Sequence, residues 1–75
     1  MIRCHLSRLM GERKMKIVDV ARATGLHRNT ITLLYQENAT RIDIEAIEKL
    51  CLLFNCSVGE LLEHVVERSQ SSPKP

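Results

Sequence analysis

A glycine at position 25 separates two short segments with helical spacing, and this feature constrains the fold more than any other. The segments cover residues 18–24 and about 27–36, with Ile31 among the residues that are predicted to face inward. Glycine lacks a Cβ and suits the left-handed position just past a helix end. Ala21 is small enough for a close crossing. The pattern predicts two short helices joined by a tight turn.

Three further segments complete the prediction of an all-α domain with five helices. A first helix is expected from Ile2 to about Met10, with Gly11 near its end. A fourth helix is expected after Asp43, a good N-cap residue. The spacing Ser57-x-x-Glu60 is that of a capping box and opens a fifth helix, which is expected to continue to about Ser69. The predicted core stripe of the fourth helix is Ile44, Ile47, Leu50, Cys51 and Phe54.

The chain of 75 residues has room for one domain, which we place at residues 1–68. Residues 69–75 are polar and contain both prolines, so they are predicted to be a disordered tail.

No segment has the length of an apolar membrane span, and no secretory pattern is visible. The three cysteines are an odd number without a closely spaced pair, which favours a reducing cytoplasm over a disulfide framework.

Charge divides along the chain. Residues 1–41 contain eight Lys or Arg and three acids, a balance of +5, whereas residues 42–75 contain three bases and six acids, a balance of −3. The two parts sum to the net charge of +2. The split indicates one surface that faces a polyanion, although a solvated surface with uneven charge would give the same numbers.

A series of polar residues opens the third predicted helix, directly after the turn. Two short helices with this turn have the anatomy of a helix-turn-helix, whose second helix enters the DNA major groove. The chain resembles the Cro/cI-type helix-turn-helix proteins, or XRE family, over roughly residues 2–64. The resemblance implies a five-helix, lambda-repressor-like domain in which helices 2 and 3 form the helix-turn-helix. It is carried by Val20-Ala21-x-x-x-Gly25-Leu26-x-Arg28-x-Thr30-Ile31 and Leu50-Cys51-x-x-Phe54-x-Cys56-Ser57-x-x-x-Leu61-Leu62.

The polar series has the chemistry needed to read base pairs. Arginine can donate two hydrogen bonds to guanine, asparagine pairs with adenine, and threonine bonds to a base edge or contacts a thymine methyl. Leu33 stands where the family often has a polar base contact, and it offers an apolar contact instead. A solvated polar helix face is the alternative interpretation. The predicted base-reading residues are Arg28, Asn29, Thr30, Thr32 and Leu33.

Residues that flank the third helix are expected to contact DNA phosphates. The predicted phosphate contacts are Lys16, His27, Gln36 and Arg41. Two residues depart from the family at positions that concern phosphate binding. Ile17 stands where the family frequently has glutamine, and Glu37 stands where it usually has a glycine. Ile17 cannot brace a phosphate, and Glu37 is expected to place a negative charge near the DNA backbone. These changes predict weaker binding, or contacts shifted to Lys14, Lys16 and Arg41.

The sequence favours DNA binding over metal binding and over catalysis. Cys51 and Cys56 are five residues apart, which does not match the spacing of zinc ligand pairs. They are expected to pack in the core and in the following turn, so neither a metal nor another cofactor is predicted. No hydrolase, nucleotide-binding or metalloprotease motif is present. The sequence therefore predicts a protein that is not an enzyme and shows no evident small-molecule substrate.

The combined prediction is a sequence-specific regulator of transcription that binds double-stranded DNA, acts as a repressor, and is cytoplasmic and bacterial or phage-encoded. A homodimer on a palindromic operator is expected, because one small module reads few base pairs. The dimer surface is expected at Val66 on the fifth helix or at Leu52 or Leu53 on the fourth, unless these residues complete the monomer core. The alternative is a protein-interaction or antitoxin-type module in which DNA binding is secondary.

Overall fold

The computed structural model describes residues 1–66, which form five helices and a two-stranded antiparallel sheet. This confirms the predicted helical fold and adds a small sheet. The predicted domain end at residue 68 and the predicted tail lie outside the described residues. No helix within residues 1–66 has the length and apolar character needed to cross a bilayer. In chain order the elements are β1 (Ile2–Cys4), α1 (Leu6–Arg13), α2 (Ile17–Thr24), α3 (Arg28–Tyr35), α4 (Ile44–Phe54), α5 (Val58–Leu61) and β2 (Leu62–His64).

The first helix begins four residues later than predicted. Ile2 belongs to strand β1 and is 62% exposed, so its predicted place in the first helix is wrong. Helix α1 instead starts at Leu6 and continues past Gly11 to Arg13. The helical spacing is real from Leu6 onward. Ile2 matches that period by coincidence, because pairing with a strand some 60 residues away leaves no mark on the local sequence.

The fifth helix is much shorter than predicted. Its capping box is present: the Ser57 N–H donates to Glu60 Oε1 at 2.8 Å, and the Glu60 N–H donates to Ser57 Oγ at 3.3 Å. The helix nevertheless ends at Leu61, and strand β2 follows. Because β2 pairs with β1, its backbone groups find partners that a longer helix would have supplied within itself. The predicted helix is therefore wrong over residues 62–66, and its predicted end near Ser69 lies outside the described residues.

A single core joins all five helices. Helix α4 buries Ala46, Leu50 and Phe54, which repeat every four residues. Ile44, predicted for this stripe, is 81% exposed and lies on another face of the helix. Each helix contributes one fully buried large side chain, so the core depends on all five. These side chains are Leu6, Val20, Ile31, Leu50 and Leu61.

Arg13 connects the end of α1 to the end of α4. Its Nη1 donates to the Leu53 carbonyl at 3.3 Å and its Nη2 to the Phe54 carbonyl at 2.9 Å. These carbonyls belong to the last turn of α4, where backbone acceptors lack partners within the helix. The guanidinium carbon also lies 5.7 Å from the centre of the Phe54 ring. Arg13 is thus a structural residue.

Two glycines are expected to respond to alanine in opposite directions. Gly25 has φ of +79° and donates its N–H to the Ala21 carbonyl at 2.8 Å, so Gly25→Ala forces a Cβ into the left-handed region. We expect this change to lower the free energy of unfolding by about 1–2 kcal/mol. Gly11 lies within α1 and has open space around it, so Gly11→Ala is the control and should stabilise by about 0.5–1 kcal/mol.

Urea denaturation followed by circular dichroism measures both glycine variants. A Gly25→Ala protein as stable as the parent would show that this turn does not require glycine.

Candidate nucleic-acid interface

The turn between α2 and α3 is held by side-chain and backbone hydrogen bonds. Thr24 Oγ1 donates to the Val20 carbonyl at 2.7 Å and accepts the Leu26 N–H at 3.2 Å. Gly25 reverses the chain between these contacts, and Leu26 packs against the core. Helix α3 is anchored below the turn by Ile31, which is fully buried. The predicted helix-turn-helix is present, and its geometry follows from these local contacts.

Helix α3 has one buried side and one solvent-facing side. Ile31 and Leu34 are buried in the core. At about 100° per residue, the opposite side carries Asn29, Leu33 and Gln36, which follow each other at helical spacing. All three are exposed. These residues define the outward stripe of α3, and Arg28 and Thr32 lie beside it.

The structure separates Thr30 from the other predicted base-reading residues. Thr30 is half-buried, precedes Ile31, and lies one turn before Leu34, so it occupies the flank of the buried side. Gln36 was predicted to contact phosphate, yet it lies on the outward stripe with Asn29. Helical spacing counted from the buried Ile31 predicts that Thr30 lies on the flank and Gln36 on the outward stripe, because the position of Ile31 fixes which side of the helix is buried.

The outward side chains of α3 are available to a ligand. Within residues 1–66, the side chains of Arg28, Asn29 and Thr32 make no hydrogen bond to the protein. Arg28 is in the first turn of the helix, directly after the N-cap residue His27. This end of α3 therefore presents several hydrogen-bonding groups together to solvent.

The predicted phosphate contacts lie at separate points around α3. Lys16 is the N-cap of α2; its backbone N–H donates to Asp19 Oδ2 at 2.9 Å, while its side chain is exposed. His27 is exposed at the N-terminus of α3, and Arg41 is exposed in the loop between α3 and α4. Ile17 is half-buried and packs against the core. Its aliphatic side chain thus serves packing.

Glu37 is the residue near α3 whose environment differs most from what the sequence led us to expect. It has φ of +60°, which explains why glycine would suit this position. Its carboxylate accepts two hydrogen bonds from Arg3, at 2.7 and 3.0 Å, and one from the Cys4 N–H at 3.1 Å. The Arg3 hydrogen bond, followed by that of Cys4, lowers the pKa of Glu37 to about 2. The expected unbalanced negative charge is therefore compensated by Arg3.

The Glu37 contacts predict a pH-dependent contribution to stability. The pKa of Glu37 is lowered from 4.5 to about 2 in the folded state, so the stabilisation is present above pH 4.5 and disappears as pH falls toward 2. We expect Glu37→Gln to have a lower Tm than the parent at pH 7, with the difference closing in acid. The effect is small because the ion pair is partly exposed.

Thermal unfolding at a series of pH values tests this contribution. Glu48→Gln, at an exposed position of α4, is the matched control and should show no such trend. A Tm difference for Glu37→Gln that stays constant from pH 7 to pH 2 would contradict the assignment.

The cysteines occupy packed positions. Cys4 is buried, and this burial raises the pKa of its thiol. Cys51 and Cys56 are half-buried against the core, so Cys56 is less enclosed than predicted. In the part of the chain that the structure describes, no three His, Cys, Asp or Glu residues come together as metal ligands would.

The turn, the anchored α3 and its exposed polar face define a helix-turn-helix DNA-binding domain. A family model described as the Cro/C1-type HTH DNA-binding domain matches residues 5–67, which include all five helices. The chain belongs to this Cro/C1-type family, whose members are typically DNA-binding and not enzymatic. Neither the curated proteins nor the solved structures contain a significant match to the chain.

Proposed function

We propose that this protein is a sequence-specific, double-stranded DNA-binding regulator of transcription whose α3 reads the major groove. The supporting observation is the two-sided character of α3: Ile31 and Leu34 hold it in the core, while the exposed Asn29 side chain has no hydrogen-bond partner within residues 1–66. The major groove is wide enough to admit a helix and displays a distinct donor and acceptor pattern for each base pair. A rigidly held helix with free polar groups suits this role.

Each outward residue has a proposed contact. Arg28 donates to guanine and Asn29 pairs with adenine, since both can form two hydrogen bonds to one base. Thr32 bonds to a base edge or phosphate, and Leu33 contacts a thymine methyl. Thr30 contributes from the flank of the helix, where its exposure is lower.

The proposed phosphate contacts surround the reading helix. Lys16 and His27 are the N-cap residues of α2 and α3, and Arg41 lies in the loop between α3 and α4. Gln36 ends α3 and can contact a phosphate from the outward stripe. Arg3 and Arg13 are excluded from this set because their guanidinium groups bind Glu37 and the carbonyls of α4. These two arginines stabilise the fold, which supports the proposal that other cations contact the phosphates.

Salt dependence tests the assignment of Lys16 and Arg41. Each of Lys16→Ala and Arg41→Ala should reduce the slope of log affinity against log salt by about one, because each removes one neutralised phosphate. Lys49→Ala is the control: Lys49 lies on α4, 3.9 Å from Glu45, and the slope should not change. An unchanged slope for Lys16 or Arg41 would remove that residue from the interface.

A repressor acting as a homodimer is the proposed form of regulation. A single module of this size buries only about 600–1,000 Å² on DNA, which limits the specificity that one copy can reach. Two copies related by a two-fold axis would read a palindromic operator and block a promoter by occupying it. No effector domain is needed for this mechanism.

Selection from a pool of random duplexes tests the proposed function. We expect enriched sequences with two inverted half-sites, their centres about 10–10.5 base pairs or a multiple apart. Enrichment of a single half-site would contradict the proposed dimer and would still support base reading by α3. The absence of any enriched sequence would contradict sequence-specific recognition.

A protein-interaction or antitoxin-type module is the second candidate function. Helix α4 exposes Ile44 and Leu52, which are 81% and 72% accessible. Exposed large apolar side chains are typical of protein-binding surfaces when they form a contiguous patch. Tight binding to the product of a neighbouring gene, together with no affinity for duplex DNA, would favour this function.

A further inference from the structure

We propose that Cys51 and Cys56 are a peroxide-sensitive dithiol, which forms a reversible intramolecular disulfide across the C-terminal turn of α4. From the sequence, the two residues are expected only to pack in the core and in the following turn, because their separation of five positions does not suit a zinc site. The folded chain brings them together. The inference concerns a covalent modification and does not depend on the proposed DNA binding.

The end of α4 is a Schellman turn with a cysteine at both of its contact positions. Asn55 is left-handed, with φ of +52°, and its N–H donates to the Leu52 carbonyl at 3.4 Å. The Cys56 N–H donates to the Cys51 carbonyl at 3.0 Å, which is the longer-range bond of this motif. The side chains of the two residues that this bond joins frequently contact each other. The turn therefore places one cysteine beside the other.

The backbone geometry of this turn suits a disulfide. With standard bond lengths on either side, the 3.0 Å hydrogen bond from Cys56 to Cys51 keeps their Cα atoms less than about 7 Å apart. Disulfides span Cα–Cα distances of about 4.4–6.8 Å, and only cysteines farther apart than about 7 Å require the backbone to move. The bond can therefore form while α4 and α5 keep their positions.

The two thiols are free and close enough to influence each other. Burial raises the pKa of the Cys56 thiol, and the charge and side-chain hydrogen bond of Cys51 raise it further. Both residues are half-buried, so a small oxidant has access to them. Cys4 is only 8% exposed and lies on β1. Oxidation is therefore expected at the pair at the end of α4.

The reaction consumes one hydrogen peroxide and two thiols. One thiol of the pair loses its proton, its sulfur attacks a peroxide oxygen, and the O–O bond breaks, which gives a sulfenic acid and one water. The second thiol loses its proton and attacks the sulfenic sulfur; the S–S bond forms and the hydroxyl leaves as a second water. Two electrons pass from the sulfurs to the peroxide, which is reduced.

The disulfide protects both sulfurs from irreversible oxidation. A sulfenic acid without a neighbouring thiol is oxidised further to sulfinic and sulfonic acids, which thiol reductants do not reverse. Such a charged group at Cys51 or Cys56 would lie against the apolar core, where an unpaired charge is costly. The disulfide avoids this damage, and a thiol reductant restores the two thiols.

Intact-mass measurement after treatment with hydrogen peroxide tests the bond. The parent should lose the mass of two hydrogen atoms, remain a single chain, and recover its original mass in dithiothreitol. Cleavage with chymotrypsin should give peptides linked through Cys51 and Cys56. Cys4→Ser is the matched control and should behave like the parent. A link that includes Cys4, a link between two chains, or a parent that only gains oxygen would overturn the proposal.

Single substitutions test the protection. In Cys51→Ser and Cys56→Ser the remaining thiol lacks its partner, so excess peroxide should add oxygen atoms that dithiothreitol does not remove. The parent should recover completely under the same treatment. Each variant is compared with its own untreated form, and circular dichroism before treatment shows that it is folded. Recovery of both variants as complete as that of the parent would contradict protection by the pair.

Thermal unfolding shows whether the native turn accommodates the disulfide. The oxidised parent should have a Tm about 5 °C or more above that of the reduced parent, because the bond restricts the unfolded chain and leaves the native turn in place. Peroxide should instead lower the Tm of Cys51→Ser and Cys56→Ser. A lower Tm for the oxidised parent would show that the bond forms only in the unfolded chain, and would overturn the proposal.

Discussion

Asn29→Ala is expected to weaken binding to the selected duplex by about 5- to 150-fold, or about 1–3 kcal/mol. Asn29 lies on the outward stripe of α3, opposite the buried Ile31 and Leu34, and its amide has no partner in the described protein. In a complex with DNA that amide would form two hydrogen bonds to one adenine. Its removal should therefore also relax the preference for that base pair.

Fluorescence anisotropy at one fixed salt concentration measures this effect on selected and unrelated duplexes. The loss should be confined to the selected duplex, since affinity for unrelated DNA comes from phosphate contacts. Arg28→Ala should behave in the same way at a neighbouring base pair. Thr30→Ala is the comparison on the same helix and should cost less, because Thr30 lies on the flank. Equal losses on both duplexes would assign Asn29 or Arg28 to phosphate binding.

Ile31→Ala is expected to lower the free energy of unfolding by about 2–5 kcal/mol. Ile31 is fully buried and joins α3 to the common core, so truncation removes apolar contacts and leaves a cavity. Small domains are stable by only about 5–15 kcal/mol, which makes this a large fraction of the total. The orientation of the outward stripe depends on this anchor, so DNA affinity should fall along with stability.

Leu33→Ala is the matched control for Ile31→Ala. Leu33 lies on the same helix and is 37% exposed, so its truncation should change stability by no more than about 1 kcal/mol. Urea denaturation of both variants gives the two values. Equal losses would show that α3 is not anchored through Ile31, and would contradict the division of this helix into a buried and an outward side.

Local sequence signals were sufficient for the helix-turn-helix. Gly25 adopts the left-handed conformation that was predicted from its position, and Ile31 is buried as predicted. Asp43 precedes α4, and Ser57 with Glu60 forms the predicted capping box. Caps, turns and helical periods depend on residues within a few positions of each other, so the sequence alone contains the information.

Features that depend on distant residues were decided by the tertiary structure. The capping box marks where α5 begins, but its end at Leu61 follows from the pairing of β2 with β1 at the other end of the chain. The role of Glu37 likewise depends on Arg3, which is 34 residues away.

The sequence by itself therefore determined the helical domain, its turn and the candidate residues of α3, because these follow from short-range backbone preferences and helical spacing. Only the tertiary structure decided that Arg3 compensates Glu37 and that residues 2–4 and 62–64 form a sheet. Long-range pairing gains its stability from partners brought together by folding, so no local pattern in either strand records it.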